Sequence, residues 1–301
     1  MDRITLKQMR YFAALAEHGH FGKAALACAI SQPALSLQIK ELEGSLGGPL
    51  VERTSRKVRL TALGEDFLER AREILVRVDD LDELFRASHA PFSGRLRLGV
   101  IPTVAPYLLP QIIKAVSQRF PGLDLHPRET VTQTLIEDLL ASRLDAAVMA
   151  LPVSEAGLQE FALFNEDFLL VRPANETHAA VPSPEHLDTM RLLLLEEGHC
   201  FRDQALSFCD PAGAAPQTIM EGSSLSTLVQ MVGAGIGITL IPEMALALET
   251  RASDVSVARF ADPAPSRTIG MIWRKSNPLS DDLLQIGAVV RKAAEDTLVS
   301  T

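Results

Sequence analysis

The chain has 301 residues, of which 47% are hydrophobic and 22% are charged, and its net charge is −9. This length predicts two or three folded units of a globular protein, because a single core rarely extends so far. The lack of an apolar run of about eighteen residues and of a basic-then-apolar leader excludes a membrane span and a secretory signal, so we expect a cytoplasmic protein. Three cysteines without a Cys-x-x-Cys pair exclude a disulfide framework and a thiolate zinc site.

The charge is divided unevenly along the chain. Residues 1–61 contain nine lysines and arginines against five acidic residues, a net charge of +4, whereas the remainder carries −13. A basic segment on an acidic body suggests a polyanionic partner for that segment. Charge alone does not distinguish such a partner from a mildly basic surface, so the pattern of the segment has to decide.

The apolar spacing of this basic segment predicts a helix-turn-helix. An amphipathic first helix ends at His18–His20, and a short alanine-rich helix follows over Phe21–Cys28, where Cys28 is predicted to be structural. A third helix is predicted over Gln32–Leu46, with Ser31 as its N-cap and Pro33 in its first turn. Two short helices joined by a tight turn are typical of DNA-reading proteins.

The exposed face of the third helix carries residues that can read DNA. Gln and Ser side chains hydrogen-bond base edges, and Lys and Arg side chains contact phosphates. Three-helix arrangements also occur in proteins with other functions, so the pattern favours DNA binding without requiring it. The candidate DNA-binding residues are Ser31, Gln32, Pro33, Ser36, Lys40, Arg53 and Arg56.

A heptad pattern over residues 62–90 predicts a long dimerisation helix that ends near Ser88, before a linker at Pro91–Gly94. The apolar positions are spaced 4-3-4-3-4, and the positions between them are densely charged. This favours pairing with a second copy over packing on the same domain, and a dimer would present two DNA-reading heads to two half-sites. The apolar positions are Phe67, Ala71, Ile74, Val78, Leu81 and Phe85.

Residues 91–301 alternate strand and helix patterns, which predicts an α/β body with two lobes and a largely parallel sheet. The second lobe is expected between about residues 164 and 265. A strand over Arg267–Arg274 is predicted to return to the first lobe, followed by a last helix from about Leu279 to Thr297. In such folds ligands bind at the carboxyl ends of the parallel strands.

Two cysteines, Cys200 and Cys209, follow a predicted strand at the edge of the cleft. A single cysteine is most often a small buried hydrophobe, but His199 and Arg202 could here provide the positive charge that favours a reactive thiolate. If the intervening residues are helical, the two α-carbons are about 13.5 Å apart on opposite faces, whereas a disulfide needs them within about 7 Å. Joining the sulfurs would then require the segment to unwind, which is the behaviour of a redox switch.

Several short motifs occur in the basic segment in a fixed order, namely Phe21-x-x-Ala24-Ala25, Ser31-Gln32-Pro33-Ala34-Leu35-Ser36, Leu42-Glu43, Glu52-Arg53 and Leu60-Thr61-x-x-Gly64. In this order they resemble the N-terminal domain of LysR-type transcriptional regulators. The resemblance implies that Gln32–Leu46 enters the major groove, that Val51–Leu60 forms a wing, and that the body is a periplasmic-binding-protein-like effector domain. It divides the chain into a winged helix-turn-helix (1–61), a linker and dimerisation helix (62–90) and a two-lobed redox-sensing regulatory domain (91–301).

The motif Gly198-His199-Cys200-x-Arg202-Asp203-Gln204-Ala205, with Phe208-Cys209 after it, resembles the peroxide-sensing members of the same family. This resemblance implies that Cys200 is the peroxidatic cysteine and Cys209 the resolving one. It further implies that Thr103, Thr132 and His199 hold the peroxide and that Arg267 steadies the thiolate. Arg202 and Asp203 complete the expected environment of Cys200.

Three functions are compatible with these patterns. The first is a hydrogen-peroxide-sensing transcription activator that needs no cofactor and no metal and is not an enzyme. The second is a LysR-type regulator controlled by a small metabolite in the interlobe cleft, and the third is a cysteine-dependent peroxidase fused to a DNA-binding head. The cysteine pair favours the first. Its expected partners are double-stranded promoter DNA, a second copy through residues 62–88 and further copies to a tetramer, RNA polymerase and an external thiol reductant, with no membrane.

Overall fold

The structure, a computed structural model, describes residues 4–53, 58–89, 92–178, 180–182, 187, 190–209 and 219–298. The chain divides into two compact units, residues 1–85 and 86–301. Within the described ranges, no helix combines the length and the apolar character that a membrane crossing requires.

The first unit begins with three helices and a two-stranded hairpin. They are α1 (Leu6–His18), α2 (Phe21–Ala27), α3 (Gln32–Leu46), β1 (Val51–Arg53) and β2 (Val58–Leu60). Helix α1 ends at Gly19, whose left-handed backbone has a φ of 57°. His20 caps α2 because its Nδ1 accepts the Gly22 N–H at 3.0 Å, and Ser31 caps α3 because its Oγ accepts the Ala34 N–H at 3.3 Å. The predicted helices and the predicted N-cap at Ser31 are confirmed.

The hairpin lies where the wing was expected, with Val51 opposite Leu60 in an antiparallel pair. A long helix, α4 (Ala62–His89), follows it directly. Gly64 in the first turn of α4 permits this close connection, because a Cβ at that position would lie 2.1 Å from the carbonyl oxygen of Leu50. The glycine of the last family motif therefore has a packing role.

Only part of the apolar stripe of α4 is available for a dimer seam, which corrects the prediction that all six positions form one. Phe67 packs edge-on against Phe12 with ring centroids 5.4 Å apart, and Ala71 is buried. These first two positions therefore belong to the core of the chain's own unit, because the first turns of α4 close that core. Further along the helix, Ile74 is 43% exposed and Leu81 is 56% exposed.

The first lobe of the second unit consists of parallel strands covered by helices. Its first elements are β3 (Gly94–Val100), α5 (Ala105–Arg119), β4 (Leu123–Glu129), α6 (Thr132–Leu140) and β5 (Ala146–Leu151). Strand β3 pairs in parallel with both β4 and β5. The strands are apolar because helices shield the faces of a parallel sheet, and β5 is buried along almost its whole length.

The second lobe repeats this pattern with a further set of helices and strands. They are β6 (Leu158–Pro173), β7 (Leu192–Leu195), α7 (Cys200–Cys209), β8 (Ile219–Gly222), α8 (Leu225–Gly233), β9 (Ile238–Pro242), α9 (Leu246–Glu249) and β10 (Val255–Arg259). Strand β7 pairs in parallel with both β8 and β9. Each lobe has its own apolar cluster, which confirms the two-lobed prediction.

The chain returns to the first lobe through β11 (Ser266–Arg274) and ends in α10 (Ser280–Leu298). Strand β11 pairs antiparallel with both β5 and β6, and β6 pairs antiparallel with β9 and β10. The prediction of a largely parallel sheet is therefore wrong where the lobes join. Parallel pairing needs a crossover helix for every strand, whereas here the strands that pass between the lobes run back beside their neighbours.

Strand β6 belongs to both lobes. Its residues 158–167 pair with β11, and from Phe168 onward it pairs with β9 and β10. The register against β11 shifts at Leu163, because Ile269 lies opposite Phe164 while Gly270 lies opposite Ala162. This extra residue is a β-bulge, which locally increases the twist of the strand.

Candidate redox site

The candidate site residues follow the carboxyl ends of parallel strands in both lobes. Thr103 lies in the turn after β3, Thr132 is the first residue of α6 after β4, and Cys200 is the first residue of α7 after β7. The carboxyl ends of parallel strands meet at one edge of an open sheet, where ligands of α/β proteins bind. The site thus draws on both lobes.

Two observations place the Cys200 segment against the first lobe. Gly198 has a φ of +93°, and a Cβ on it would lie 3.6 Å from Cγ2 of Val131, the residue that precedes Thr132. Cys200 itself packs against the apolar cluster of the first lobe, whereas Phe201 belongs to that of the second lobe. Cys200 therefore lies at the junction between the lobes.

A buried ion pair connects the first-lobe side of the site to β6. The side chains of Arg267 and Glu166 are both 0% exposed, with Nη2 and Oε1 2.7 Å apart. Arg267 donates from Nε to the same Glu166 oxygen at 2.8 Å, and from Nη1 to Thr103 Oγ1 at 2.8 Å. Its guanidinium also lies over the ring of Phe201, 5.2 Å from the centroid. Within the described residues, Arg267 makes no hydrogen bond to Cys200.

Thr132 and His199 supply the other polar groups of the candidate site. The Oγ1 atom of Thr132 is buried and has no hydrogen-bond partner among the described residues. Buried polar atoms are almost always paired in native proteins, so an unpaired hydroxyl indicates a bound water or a small polar ligand. Burial lowers the pKa of His199 below its ordinary value of 6.5, against the opposing negative charge of Glu196. The imidazole is therefore neutral at pH 7 and can both donate and accept a hydrogen bond.

Arg202 and Asp203 do not approach Cys200 in the way the sequence suggested. Arg202 Nη1 donates to the carbonyl oxygen of Leu195 at 2.8 Å and to Glu221 Oε1 at 2.7 Å. Its side chain therefore fixes α7 to the ends of β7 and β8. Asp203 is exposed in the first turn of α7. Arg202 has a structural role in this conformation.

The two cysteines lie at opposite ends of one helix. Cys200 is a free thiol that begins α7, and Cys209 ends it. Nine helical steps separate their α-carbons by about 13.5 Å. The side chain of Cys209 lies outside the part of the chain that the structure describes. The residues between the two cysteines are therefore helical, which was the condition for keeping the two sulfurs apart.

Most candidate DNA-binding residues lie on one exposed face of α3. Gln32, Pro33 and Lys40 are exposed, Ser36 is half-buried, and Ser31 caps the helix. The opposite face buries Leu35, Ile39 and Leu42 in the core of the first unit. The side chain of Arg53 and the whole of Arg56 lie outside the described residues.

Cys28 lies at the end of α2 and packs against the core of the first unit. Burial raises the pKa of its thiol above the ordinary value of 9.0. Because the thiolate is the reactive form of cysteine, this environment makes Cys28 less reactive. The position agrees with the structural role predicted for this residue.

Neither Glu166 nor the polar contact that joins the lobes at Tyr107 was among the features predicted from the sequence. The Tyr107 hydroxyl on α5 donates to Glu249 Oε1 at 2.5 Å, and Ser226 Oγ donates to Glu249 Oε2 at 2.6 Å. Burial and the neighbouring Glu249 carboxylate raise the pKa of Tyr107. Glu166 lies between Asn165 and Asp167 in β6, so no local sequence pattern marked it as a buried acid.

Comparison with known proteins agrees with this architecture. Residues 6–65 match the family model "Bacterial regulatory helix-turn-helix protein, lysR family", and residues 89–295 match the LysR substrate binding domain. A probable hydrogen peroxide-inducible genes activator of Streptomyces viridosporus is 45% identical, over 97% of this chain and 95% of the relative.

Solved structures give the same result. A full-length OxyR variant of Pseudomonas aeruginosa is 35% identical with a TM-score of 0.75, covering 97% of this chain and 96% of that one. An OxyR mutant of Corynebacterium glutamicum with hydrogen peroxide bound is 34% identical with a TM-score of 0.67, covering 99% and 94%. The chain therefore belongs to the LysR family of bacterial DNA-binding transcription regulators, among the members that resemble OxyR.

Proposed function

We propose that this chain is a hydrogen-peroxide-responsive transcription regulator in which Cys200 is the residue that peroxide oxidises. The observation that carries the proposal is the position of Cys200, which begins α7 in one lobe while it packs against the other lobe. A chemical change at this sulfur acts on both lobes at once. The names of the similar proteins, which include peroxide-inducible activators and a peroxide-bound OxyR, support the same ligand.

The proposed chemistry consumes one peroxide and two thiols. The Cys200 thiolate attacks one peroxide oxygen, so that an S–O bond forms while the O–O bond breaks, and the departing hydroxide takes up a proton to become water. The Cys209 thiolate then attacks the sulfenic sulfur, forming the disulfide and releasing a second hydroxide, which is likewise protonated. In the first step the peroxide needs both hydrogen-bond donors and acceptors around the sulfur. These groups are supplied by Thr103, Thr132 and His199.

The second step requires a large rearrangement. The α-carbons at the two ends of α7 must approach from about 13.5 Å to within about 7 Å. Helix α7 cannot persist through this change, and the contacts of Phe201 and Arg202 with the second lobe are lost with it. The disulfide therefore rebuilds the second lobe, which is how oxidation alters promoter binding.

The DNA-binding head and the helix after it give this signal its output. The boundaries we propose are a head at 1–61, a dimerisation helix at 62–90 and a regulatory domain at 91–301. The exposed Ile74 and Leu81 support pairing of α4 with a second copy, and the exposed polar face of α3 supports double-stranded DNA as the target. Assembly to a tetramer, contact with RNA polymerase and reduction by an external thiol complete the proposal, in which the chain regulates without enzymatic turnover.

One observation favours a second candidate function, control by a small metabolite. A cavity of about 230 Å³ lies near the lobe junction, and its lining includes Tyr107, Phe164, Met244 and Leu248. The lining is mostly apolar, so the cavity suits a small hydrophobic molecule. A regulator of this second kind would change its DNA affinity without any change at Cys200.

Peroxide titration of the reduced full-length chain, followed by mass spectrometry of all three cysteines, distinguishes the two functions. We expect stoichiometric peroxide to join Cys200 to Cys209 and to leave Cys28 reduced, and we expect C200S to abolish both the disulfide and the change in promoter binding. C28S is the matched control and responds normally. An unmodified Cys200 together with a peroxide-independent change in DNA binding would overturn the proposal.

A further inference from the structure

Glu166 is a fully buried carboxylate that takes no part in the two chemical steps proposed above. Removing a carboxylate and a guanidinium from water costs several kcal/mol per ion, and a hydrophobic pair of similar volume often stabilises a protein more. Glu166 and Arg267 are nevertheless both 0% exposed. An ion pair retained at this depth suggests a role beyond stability.

Both oxygens of Glu166 have fixed partners. Oε1 accepts from Nε and Nη2 of Arg267, and Oε2 accepts the backbone N–H of Met244 at 3.2 Å. Met244 lies in a 3₁₀ turn after β9. The carboxylate is thus held by its own strand, by β11 and by a backbone group of the second lobe, so the guanidinium has one available orientation.

This orientation determines what the Thr103 hydroxyl can do. Arg267 donates from Nη1 to Thr103 Oγ1 at 2.8 Å and from Nη2 to the Thr103 carbonyl oxygen at 3.1 Å. A guanidinium cannot accept a hydrogen bond, so Thr103 Oγ1 is the acceptor and its own proton points elsewhere. In the described part of the chain, that proton has no partner. The Thr103 hydroxyl therefore has its proton available to donate a hydrogen bond to a ligand in the site.

We propose that Glu166 is a positioning residue for peroxide reduction. It fixes Arg267, which contacts both Thr103 and the ring of Phe201 next to Cys200, so that the Thr103 hydroxyl is held as a hydrogen-bond donor for the peroxide. The proposal rests on the proposed function. As the Cys200 sulfur bonds to one peroxide oxygen, the O–O bond breaks and the second oxygen departs as hydroxide, which then takes up a proton to become water. The Thr103 donor stabilises the negative charge that develops on this departing oxygen.

The ion pair also has an electrostatic consequence. The carboxylate of Glu166 cancels most of the charge of Arg267 at a distance, because the two charged groups are 2.7 Å apart. The contribution of Arg267 to the reaction is therefore a directed hydrogen bond to Thr103, rather than an unpaired positive charge next to the sulfur. This assigns a different role to Arg267 than stabilisation of the thiolate.

A double-mutant cycle between Glu166 and Thr103 tests the proposal in the full-length chain. E166Q removes the charge and replaces one of the two acceptor oxygens by an NH2 group, so that Arg267 and the Met244 N–H can no longer both be satisfied. T103V removes the donor while keeping the shape of the side chain. We expect each variant to slow the oxidation of Cys200 by hydrogen peroxide by about 10- to 100-fold, by analogy with the loss of one preorganised donor. We expect the double variant to be no slower than T103V alone, because Glu166 acts through Thr103.

Alkylation of Cys200 by iodoacetamide provides the readout that a merely structural role would not separate. This reaction needs the thiolate but no donor for a departing oxygen. Because E166Q uncovers the charge of Arg267 and so changes how much of Cys200 is thiolate, each rate is divided by the thiolate fraction. We expect E166Q and T103V to change the alkylation rate per thiolate less than threefold. The control is D145N, which disrupts the ion pair between the buried Asp145 and the partly exposed Arg97 of the first lobe and leaves peroxide oxidation within threefold of wild type. If E166Q does not fold, the uncharged double variant E166Q/R267M replaces it in the same cycle.

The failures of the two proposals are distinguishable. If wild-type Cys200 does not react with peroxide, the proposed function fails. If wild type reacts but E166Q reacts equally fast, or if the two substitutions slow the reaction multiplicatively, or if alkylation slows as much as oxidation does, the role of Glu166 is refuted while the function stands.

Discussion

The two sides of the candidate site are built very differently. On the first-lobe side, Thr103 and Arg267 are tied to a fully buried ion pair and to strands that have partners on both edges. On the second-lobe side, Cys200 is carried by a ten-residue helix that follows a four-residue strand, and the polar anchor of that helix is Arg202. Under the proposed function, most of the residues that hold the peroxide lie on the rigid first-lobe side, and the segment that refolds lies on the second-lobe side.

The variant C209S is expected to have the largest effect, because it separates the chemistry from the refolding. Peroxide should convert Cys200 to a sulfenic acid that dimedone traps, while no disulfide forms and α7 persists. Hydrogen–deuterium exchange over residues 198–209 measures this directly: peroxide should increase exchange in wild type and leave it unchanged in C209S. Equal increases in the two proteins would mean that oxidation of Cys200 alone refolds the segment.

Loosening the second-lobe side should accelerate the switch. R202A removes the hydrogen bonds to the Leu195 carbonyl and to Glu221, which should lower the stability of the reduced protein by about 2 kcal/mol. Unwinding of α7 then needs less free energy, so we expect the disulfide to form about tenfold faster after sulfenic acid formation. Rapid-quench mass spectrometry measures this rate.

The matched control for R202A is E221Q, which removes only the partly exposed ion pair and keeps the bond to Leu195. Its effect on stability should be at most about 0.5 kcal/mol. A rate of disulfide formation that is the same in R202A as in E221Q would show that the unwinding of α7 does not limit the switch.

The contact between the lobes at Tyr107 should have a smaller effect. Y107F removes the hydrogen bond to Glu249, which keeps its bond to Ser226, so unfolding should become easier by about 1–1.5 kcal/mol. Chemical denaturation of the reduced chain measures the change. The other tyrosine of the chain is Tyr11, and Y11F provides a control in the first unit. If Y107F is no less stable than Y11F, the Tyr107 hydroxyl does not hold the lobes together.

The smallest expected effect is the pH dependence from His199. Burial holds its pKa below 6.5 in the folded protein, so the unfolded chain binds the proton first as the pH falls. Stability due to this residue is therefore present above pH 6.5 and is lost below it, by at most about 1 kcal/mol. We expect H199Q to flatten the stability profile between pH 7 and about 5, measured by thermal melts. The exposed His178 supplies the control H178Q, whose profile should match that of wild type.

The sequence was sufficient for the parts of the fold that depend on local pattern. The N-cap at Ser31 and the helix over Gln32–Leu46 lie where capping and periodicity predicted them, and the strand predicted over Arg267–Arg274 begins one residue earlier. The separation of Cys200 and Cys209 was worked out only for the case of a helix between them, and the structure supplies that helix.

The parts that depend on long-range packing were not predictable in the same way. Phe67 and Ala71 fit a heptad, but they close the core of their own unit, and the pattern cannot tell these two partners apart. Glu166 and Arg267 are 101 residues apart, so nothing local connects the acid to the site. Arg202 is a sequence neighbour of Cys200, yet its helix directs it to Leu195 and Glu221.

Strand β6 has a consequence for how a signal can travel through the regulatory unit. Because one continuous backbone is hydrogen-bonded into both sheets, the lobes cannot swing apart about a flexible loop as they would on a hinge. They can turn relative to each other by changing the torsion of that shared strand, whose twist is locally increased at the Leu163 bulge. Rebuilding α7 in one lobe would then twist that lobe relative to the other along the shared strand.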